Sequence, residues 1–342
     1  MKRCLQLAGL GIGTTRPNPS VGAVVVHNEK IIGEGFTAAY GGAHAEVYAI
    51  GSVKDKSLLR EATLYVTLEP CSHHGKTPPC ADLIVKEGIP RVVIGCLDTN
   101  SLVAGKGIER LKKAGCEVLV GVLEQACFYH HRRFFKVQNE QRPYVILKWA
   151  ASSDGIIAPL KKEHRAPVWI SNKHSQQLVH KWRSEEHAIL VGTNTAVDDN
   201  PALNVRSWSG QHPVRVVIDR TQRIAKDSKL FDQTVKTIVL VDRNIVKENY
   251  QDERVFVEPI SFESSLAMEI CKVLQRHKIQ SVIIEGGRQT LTTFIKEGLW
   301  DEARIFTGSV ALGTGIPAPE ISGKGYRQEL IKNDYLRIIT ND

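Results

Sequence analysis

Short apolar runs alternate with polar ones along the first part of the chain and predict strands and helices in turn. The run VGAVVV, the polar turn HNEK and the run IIGEG predict a β-hairpin. Further strands are predicted at ATLYVTLEP, RVVIGCLD and EVLVGVL, and helices at AHAEVYAI, CADLIVKEG, GIERLKKAG and EQACFYHHRRFFKVQNEQRP. This order predicts a layered α/β domain with a largely covered sheet, which ends at Arg142-Pro143.

The pattern starts again after this proline. Strands are predicted at YVILKWAAS, HAILVG, VRVVID, TIVLVD and SVIIEGG, and helices at NKHSQQLVHKWRSEE, SSLAMEICKVLQRHK and RQTLTTFIKEG. The stretch TNTAVDDNPALNVR is interpreted as a polar loop that is too long to be a simple connection. The sequence therefore predicts two α/β domains, residues 1–143 and 144–342, without an internal repeat.

Composition narrows the class of protein. The chain is 42% apolar and 24% charged, as globular domains are, and no stretch approaches the roughly 20 apolar residues of a membrane span. The N-terminus is basic and then apolar, but glycines interrupt it, so it is interpreted as a helix and not as a signal peptide. An odd number of cysteines, 7, argues against a disulfide framework, and we expect a cytoplasmic protein.

The net charge of +8 is spread over both halves, and no polybasic tail is present. Such an excess suits small anionic substrates such as phosphates, and it does not indicate a nucleic-acid or membrane partner. A homo-oligomer is compatible with this composition.

One group of residues indicates a metal site. His44 and Glu46 form an H-x-E motif at the start of a predicted helix, and Cys71 and Cys80 flank a loop that leads into another helix. Zinc favours thiolate and imidazole ligands, and a catalytic zinc keeps one position for water. Zinc-dependent nucleobase deaminases combine H-x-E with P-C-x-x-C, whereas this chain has P-C-x8-C. We expect three zinc ligands, His44, Cys71 and Cys80, with Glu46 as the group that transfers protons.

A closed structural zinc site is a second interpretation of the same residues. His73 or His74 would then be the fourth ligand, and Glu46 would be a surface charge. The catalytic interpretation is preferred, because a structural site has no use for a carboxylate beside its first ligand.

Longer stretches resemble one known family. RPNPSVGAVVV, HAEVYAI, VTLEPCSHHGKTPPCADLI and VAGKGIERLKKAG are similar, in order and spacing, to the deaminase half of the bifunctional riboflavin-biosynthesis deaminase/reductase. ILKWAASSDG, WIS, SEEHAILVGTNTAVDDNPALNVR and VIIEGG resemble its reductase half. The resemblance implies an α/β fold throughout, with an N-terminal cytidine-deaminase-like three-layer domain and a C-terminal dihydrofolate-reductase-like domain.

The resemblance also implies the chemistry. The first domain, with one Zn²⁺ per chain, would deaminate a diaminopyrimidinone that carries a phosphoribosylamino group. The second domain would then use NADPH to reduce the ribosyl group to ribityl, with hydride delivered to C1 of the sugar. The expected partners are therefore small phosphorylated pyrimidines.

Further site residues are implied by the same resemblance. Cofactor contacts are expected at Ala150, Trp169, Thr195, Asp199, Gly287, Arg288, Gln289, Thr290, Leu291, Thr292 and Thr293. Substrate contacts are expected at Asn18, Arg183, Leu203, Arg206, Glu285 and Lys148.

Some of these residues have a plainer interpretation. Asn18 also suits an ordinary turn, Arg183 a solvated helix charge and Lys148 a structural ion pair. The glycines in SVIIEGGRQTLTTF suit a phosphate at a helix N-terminus, but they also suit a simple strand–helix turn.

Two departures from the family pattern are visible. Pro167 stands where the family usually has a serine that contacts substrate, and Thr99 and Ser101 stand where it usually has prolines. Proline has no hydroxyl and no N–H to donate. The first departure leaves open a deaminase with a degenerate reductase domain. Two further hypotheses are a nucleic-acid editing deaminase with a binding module and a purely structural zinc protein.

Overall fold

The structure is a computed structural model that describes residues 1–72, 78–99, 104–161, 168–245 and 253–341. The chain folds as two compact units, Met1–Gln141 and Arg142–Asp342. The predicted domains, 1–143 and 144–342, differ from these units by two residues at the junction. In the described ranges no helix is both long enough and apolar enough to cross a membrane.

Unit one has its helices and strands in the predicted order. Their bounds are α1 (Lys2–Leu10), β1 (Gly22–His27), β2 (Lys30–Phe36), α2 (Ala45–Ser52), β3 (Thr63–Leu68), α3 (Cys80–Lys86), β4 (Arg91–Cys96), α4 (Lys106–Lys113), β5 (Glu117–Val120) and α5 (Glu124–Glu140). A short 3₁₀ helix, Lys56–Glu61, precedes β3.

The sheet of unit one has the strand order β2-β1-β3-β4-β5. β1 is antiparallel to β2 and β3, whereas β3, β4 and β5 are parallel. Leu64 and Val66 of β3 pack with α2 and α3, while Tyr65 and Thr67 on the opposite face meet α1 and α5. This confirms the predicted layered α/β domain, with helices on both sides of the sheet.

Unit two is also α/β. Its elements are β6 (Tyr144–Ala151), β7 (Ile156–Ala158), α6 (Lys173–Glu185), β8 (Ala188–Val191), α7 (Thr193–Asp199), β9 (Val214–Ile218), β10 (Thr237–Asp242), β11 (Val255–Ile260), α8 (Leu266–Arg276), β12 (Ser281–Ile284), α9 (Arg288–Lys296), β13 (Glu302–Thr307), β14 (Ile316–Pro317), β15 (Gly325–Ile331) and β16 (Asp334–Thr340). The large sheet has the order β11-β10-β9-β8-β12-β6-β13-β16-β15, and β14 pairs with β7 separately. Strands β11 to β13 in that order are parallel, and β16 is antiparallel to both its neighbours.

The interpretation of TNTAVDDNPALNVR as a loop is wrong for its first half, because these residues form α7. The segment TNTAVDD consists mostly of weak helix formers, so its propensity does not predict a helix. Tertiary packing stabilises this helix instead, since Ala196 is buried in the core. The helix ends at Asn200, whose φ is 42°. Strands β7, β11, β13, β14, β15 and β16 are also present without having been predicted.

The carboxylate of Glu69, the residue before Pro70, fixes the start of α4. Oε1 accepts hydrogen bonds from the N–H groups of Gly107 (3.0 Å) and Ile108 (3.4 Å), and Oε2 accepts one from Gly105 (3.1 Å). These donors belong to the helix start, where N–H groups lack partners within the helix. A Cβ on Gly107 would lie 2.1 Å from the carbonyl oxygen of Pro70, so the helix and the end of β3 approach as closely as glycine allows.

Two adjacent histidines of α5 are held in the uncharged form. His131 is 2% exposed, and its Nε2 lies 3.1 Å from Oγ1 of Thr67. Burial lowers the pKa of His131 well below its usual value of 6.5. The neighbouring His130 donates from Nε2 to the carbonyl oxygen of Ser20 at 2.8 Å, and burial lowers its pKa to about 4. These contacts attach α5 to β3 and to the loop before β1.

Substitution of Gly107 by alanine tests the close approach of α4. Alanine favours a helix by about 1 kcal/mol. We nevertheless expect Gly107→Ala to lower the free energy of unfolding by roughly 2 kcal/mol, because its Cβ would collide with Pro70. Urea unfolding measures the effect. Gly51→Ala in α2, whose Cβ would meet nothing within 4 Å, is the control and should be neutral or slightly stabilising. Equal stability of the two variants would contradict the approach described.

Because His130 and His131 of α5 are buried in the uncharged form, we expect the folded protein to be less stable in acid. In the unfolded chain both rings have a pKa of about 6.5, and in the folded protein their pKa values are lower. The folded form therefore binds fewer protons, and the free energy of unfolding should fall as the pH drops from about 6.5 towards 4. Urea unfolding at several pH values measures this slope, which His131→Gln should reduce. His174→Gln, at an exposed position, should leave it unchanged. An equally steep slope in His131→Gln would refute the assignment.

Candidate active sites

The three predicted zinc ligands lie together in unit one. His44 is the N-cap of α2, Cys80 begins α3, and Cys71 follows the end of β3. Nδ1 of His44 is 3.3 Å from Sγ of Cys80 and 3.6 Å from Sγ of Cys71, and all three ligand atoms lie within 4.8 Å of one another. One imidazole and two thiols at these distances fit a zinc ion, and three protein ligands leave a fourth position for water.

Hydrogen bonds distinguish the two thiols of this cluster. The backbone N–H of Cys80 donates to Sγ of Cys71 at 3.3 Å. Hydrogen bonds from Cys80 and His44 lower the pKa of the Cys71 thiol, although burial opposes the shift. The neighbouring Cys71 and burial raise the pKa of Cys80. Cys71 is therefore the thiol that loses its proton more easily.

Glu46 lies beside the cluster and away from solvent. It is 4% exposed, in the first turn of α2, within hydrogen-bonding reach of the Cys80 thiol. Burial, and then the charge of Cys71, raises its pKa to about 7. The interpretation of Glu46 as a surface charge is therefore wrong. The proposed fourth ligands of a closed site, His73 and His74, lie outside the described residues.

Asn18 occupies a turn near this region. Its N–H donates to the carbonyl oxygen of Thr15 at 2.9 Å, and its own carbonyl accepts from the Thr15 hydroxyl at 3.2 Å. The same loop meets the segment that leads to His44, because the N–H of Tyr40 donates to the carbonyl oxygen of Thr14 at 3.1 Å. Asn18 thus lies on a loop that contacts the segment before His44.

A second group of predicted residues meets in unit two, where Glu285 follows β12. Its Oε2 accepts from Nη2 of Arg183 at 2.8 Å, and its Oε1 lies 3.6 Å from Nζ of Lys148. Burial favours a raised pKa for Glu285, but the positive charges of Arg183 and Lys148 outweigh it and hold the pKa at about 2. Burial lowers the pKa of Lys148, and Glu285 opposes this shift. Arg183 is 12% exposed, so the interpretation as a solvated helix charge is wrong.

Arg206 extends this charge cluster. Its Nη1 donates to Oδ1 of Asn204 at 2.6 Å, and Arg183 donates to the Asn204 carbonyl oxygen at 3.3 Å. His180, which the sequence did not identify, accepts the backbone N–H of Arg206 at Nδ1 (3.2 Å). Burial and the two arginines lower the pKa of His180 to about 4. Its position three residues before Arg183 on α6 is the sequence signal that points to it.

The turn between β12 and α9 has the geometry that close packing of its backbone requires. Gly287 has a φ of +58°, and a Cβ on Gly286 would lie 2.8 Å from Cα of Val191. Oγ1 of Thr195 is 3.5 Å from the position that a Cβ of Gly287 would take. The first turn of α7 therefore borders the N-terminus of α9.

The remaining predicted cofactor residues differ in exposure. Arg288 and Gln289 are exposed, whereas the side chains of Thr290 and Leu291 are buried and leave only the backbone for a ligand. Thr292 and Thr293 are half-buried on α9. Of the others, Ala150 and Asp199 are half-buried and Trp169 is exposed.

Leu203 differs from the other predicted substrate contacts in its burial. Leu203 is 3% exposed and packs in the core, so it shapes the site mainly by packing. Pro167 and Ser101, the sites of two departures from the family pattern, lie outside the described residues.

Comparison with known families agrees with the two-unit architecture. The model of the cytidine and deoxycytidylate deaminase zinc-binding region matches residues 1–96, and the model of the RibD C-terminal domain matches residues 143–340.

Similarity to individual proteins extends over nearly the whole chain. The riboflavin biosynthesis protein RibD of Aquifex aeolicus is 38% identical over 334 residues, which cover 96% of this chain and 92% of that protein. The protein of the same name from Escherichia coli K12 is 34% identical over 328 residues, with coverages of 92% and 88%.

Solved structures show the same likeness. A diaminohydroxyphosphoribosylaminopyrimidine deaminase/5-amino-6-(5-phosphoribosylamino)uracil reductase from Thermotoga maritima superposes with a TM-score of 0.86 at 36% identity, covering 99% of this chain and 97% of its own. RibD of Acinetobacter baumannii gives a TM-score of 0.87 at 33% identity, with coverages of 100% and 98%. By sequence and by fold, the chain belongs to the RibD family of bifunctional deaminase/reductases of riboflavin biosynthesis.

Proposed function

We propose that unit one hydrolyses the exocyclic amine of a diaminopyrimidinone that carries a phosphoribosylamino group, and that unit two reduces the ribosyl group of the product with NADPH. The observation that carries the first assignment is the cluster of His44, Cys71 and Cys80 with buried Glu46 beside it. The free state of these thiols suits a reducing compartment, which supports a cytoplasmic location for the reaction.

In the proposed deamination, the ligand cluster binds the metal and Glu46 transfers protons. Zinc held by His44, Cys71 and Cys80 supplies a Lewis acid for the activation of water. The carboxylate of Glu46 would take one proton from the attacking water and deliver it to the ring nitrogen. It would then pass the second proton, from the hydroxyl group of the adduct, to the amine, which departs as ammonia. Its burial excludes bulk water, which would otherwise compete as an acid and a base.

Substitution of Glu46 by glutamine separates proton transfer from metal binding. We expect Glu46→Gln to keep stoichiometric zinc and to release ammonia roughly 10³-fold more slowly, because the amide cannot accept the proton. Metal content and an ammonia assay on the diaminopyrimidinone phosphate measure both. Glu109→Gln, an exposed position on α4, should retain full activity. A Glu46→Gln enzyme that deaminates at the normal rate would remove Glu46 from the mechanism.

In unit two, we assign the substrate phosphate to the two arginines that meet at Asn204. Arg206 is exposed and Arg183 is held beside it by Glu285, so two guanidinium groups converge on one region. Guanidinium groups bind phosphate oxygens in pairs, which fixes orientation as well as affinity. His180, whose pKa is about 4, contacts Arg206 as a neutral ring and adds no positive charge beside the two arginines.

We assign Lys148 and Glu285 to the sugar of the substrate. NADPH supplies the hydride, and the positive Lys148 balances the negative charge that develops on the sugar oxygen as the ring opens. Glu285 keeps Lys148 and Arg183 in position and offers the lone pairs of Oε1 to a sugar hydroxyl, since this buried oxygen has no hydrogen-bond partner in the described part of the chain. This intact cluster argues against a degenerate reductase domain.

The cofactor is assigned to the rim formed by the carboxyl ends of β8 and β12. The N–H groups at the start of α9, from Gly287 to Thr290, suit the diphosphate, and Thr195 borders them. Leu291, Thr292 and Thr293 follow in the same part of the helix, where Leu291 donates to the carbonyl oxygen of Gly287. Ala150, Trp169 and Asp199 complete the assigned contacts.

Substitution of Lys148 by methionine tests the role of the ammonium group in reduction. We expect Lys148→Met to slow NADPH oxidation by about 10²-fold or more, because a methionine of similar length carries no charge and no proton. Deamination by unit one should be unchanged, which shows that the chain is folded. Lys181→Met, on α6 with a side chain that is 43% exposed, is the control. If Lys148→Met lowers thermal stability but reduces substrate at the normal rate, Lys148 is a structural ion-pair partner.

A further inference from the structure

The two cysteine ligands stand at the ends of one loop, and α4 packs beside that loop. Cys71 follows β3, and Cys80 begins α3. Glu69 binds the first N–H groups of α4, and a Cβ on Gly107 of this helix would lie 2.1 Å from the carbonyl oxygen of Pro70. Pro70 immediately precedes Cys71, so α4 lies directly against the segment that carries this ligand.

Arg110 lies one turn after Gly107 on α4. Positions three residues apart are neighbours on a helix surface, so the side chain of Arg110 leaves the helix on the side that faces Pro70. Ile108 and Leu111 of the same helix are buried in the core and fix its rotation. The backbone of Arg110 is therefore held in place, although 47% of its side chain is exposed.

The guanidinium group of Arg110 contacts both ends of the ligand loop. Its Nη1 donates to the carbonyl oxygen of Ser72, the residue after Cys71, at 3.4 Å. Its Nε forms an ion pair with Oδ1 of Asp82, which lies in the first turn of α3, two residues after Cys80. The donors of a guanidinium group have a fixed planar arrangement. One rigid group on α4 thus bridges the neighbours of two metal ligands.

The effect of this bridge should appear in metal binding more than in the stability of the fold. An exposed ion pair contributes little to the free energy of unfolding. Zinc, however, needs both sulfur atoms in one place, and freedom of the loop ends without metal must be lost when the metal binds. A bridge that already restricts the loop ends leaves less freedom to lose, and it therefore raises the affinity for zinc.

We propose that Arg110 is a positioning residue for the zinc site, which holds Cys71 and Cys80 at the separation that the metal requires. This inference rests on the proposed zinc-dependent deamination and adds a residue outside the ligand set. Contacts that orient metal ligands typically change metal affinity by about 10- to 100-fold. Because Arg110 contacts the neighbours of the ligands and not the ligands themselves, we expect the lower end of this range.

Transfer of zinc from the loaded full-length chain to a chelator tests the assignment. Arg110→Gln should bind zinc about tenfold more weakly than wild type and release it faster. Arg110→Lys, which keeps a charge near Asp82 without the planar arrangement of donors, should lie between the two. Lys113→Gln is the matched control, since Lys113 is exposed and lies one turn further along α4 in the same groove beside α3. Its zinc affinity should equal that of wild type.

Two further measurements separate positioning of the ligands from a general structural role. In excess zinc, Arg110→Gln should release ammonia at the wild-type rate and unfold at the wild-type temperature, because the bound metal then holds the ligands itself. Asp82→Asn should weaken zinc binding in wild type and weaken it less in the Arg110→Gln background, where its partner is already absent.

Three outcomes would overturn the proposal. Wild-type protein that holds no zinc would overturn the proposed zinc-dependent deamination and this assignment with it. Zinc that wild type, Arg110→Gln and Lys113→Gln retain equally well would remove the role of Arg110 alone. A loss of ammonia release in Arg110→Gln that excess zinc does not restore would show that Arg110 acts on the fold or on the substrate and not on the metal ligands.

Discussion

In both units, buried carboxylates directly after strands bind the neighbouring loops and helices and fix their positions. A buried carboxylate is costly unless donors or cations compensate it. Glu69 follows β3 and binds the start of α4, Asp219 follows β9 and closes a turn, and Glu285 follows β12 and binds Arg183 and Lys148. Because an unpaired carboxylate cannot remain in these positions, each one forces the loop or helix beside it into a single arrangement. Of the predicted site residues, Arg183 and Lys148 are held in this way by Glu285.

Glu46 differs from these carboxylates in a way that suits chemistry. Glu285 is also largely buried, with 9% of its side chain exposed, but Arg183 and Lys148 outweigh burial and hold its pKa at about 2. Around Glu46, burial and the charge of Cys71 act in the same direction and raise the pKa to about 7. A group whose two protonation states are similar in free energy can exchange a proton with substrate, as we propose for Glu46, whereas a carboxyl with a pKa as low as that of Glu285 stays charged. The pKa values of these two glutamates thus shift in opposite directions, because their neighbours carry opposite charges.

Local patterns were enough to predict some of these features, and distant contacts decided the others. The hairpin, the helix that starts at His44 and the helix that starts at Cys80 follow from periodicity and turn residues, and the structure confirms them. The spacing of H-x-E and the two cysteines identified the ligand cluster, since each residue type carries recognisable chemistry. Glu69 gave no such signal, because its partner Gly105 lies 36 residues away in the sequence and only folding brings the two together. His180 gave only its position three residues before Arg183, and its contact with Arg206, 26 residues away, also forms only on folding. Helix α7 was missed for a similar reason, as core packing of Ala196 overrides weak helix formers.

The long gap between the two cysteine ligands becomes understandable from the contacts at its ends. The N–H of Ala81 donates to the carbonyl oxygen of Cys71 at 3.1 Å, and the N–H of Cys80 donates to Sγ of Cys71 at 3.3 Å. These two bonds join the ends of the loop at the ligands themselves, so the distance between the sulfur atoms does not depend on the intervening residues. Closing a loop costs little more as it lengthens. The eight-residue gap of P-C-x8-C is therefore compatible with a compact cluster of ligands, which is what the shorter motif also provides.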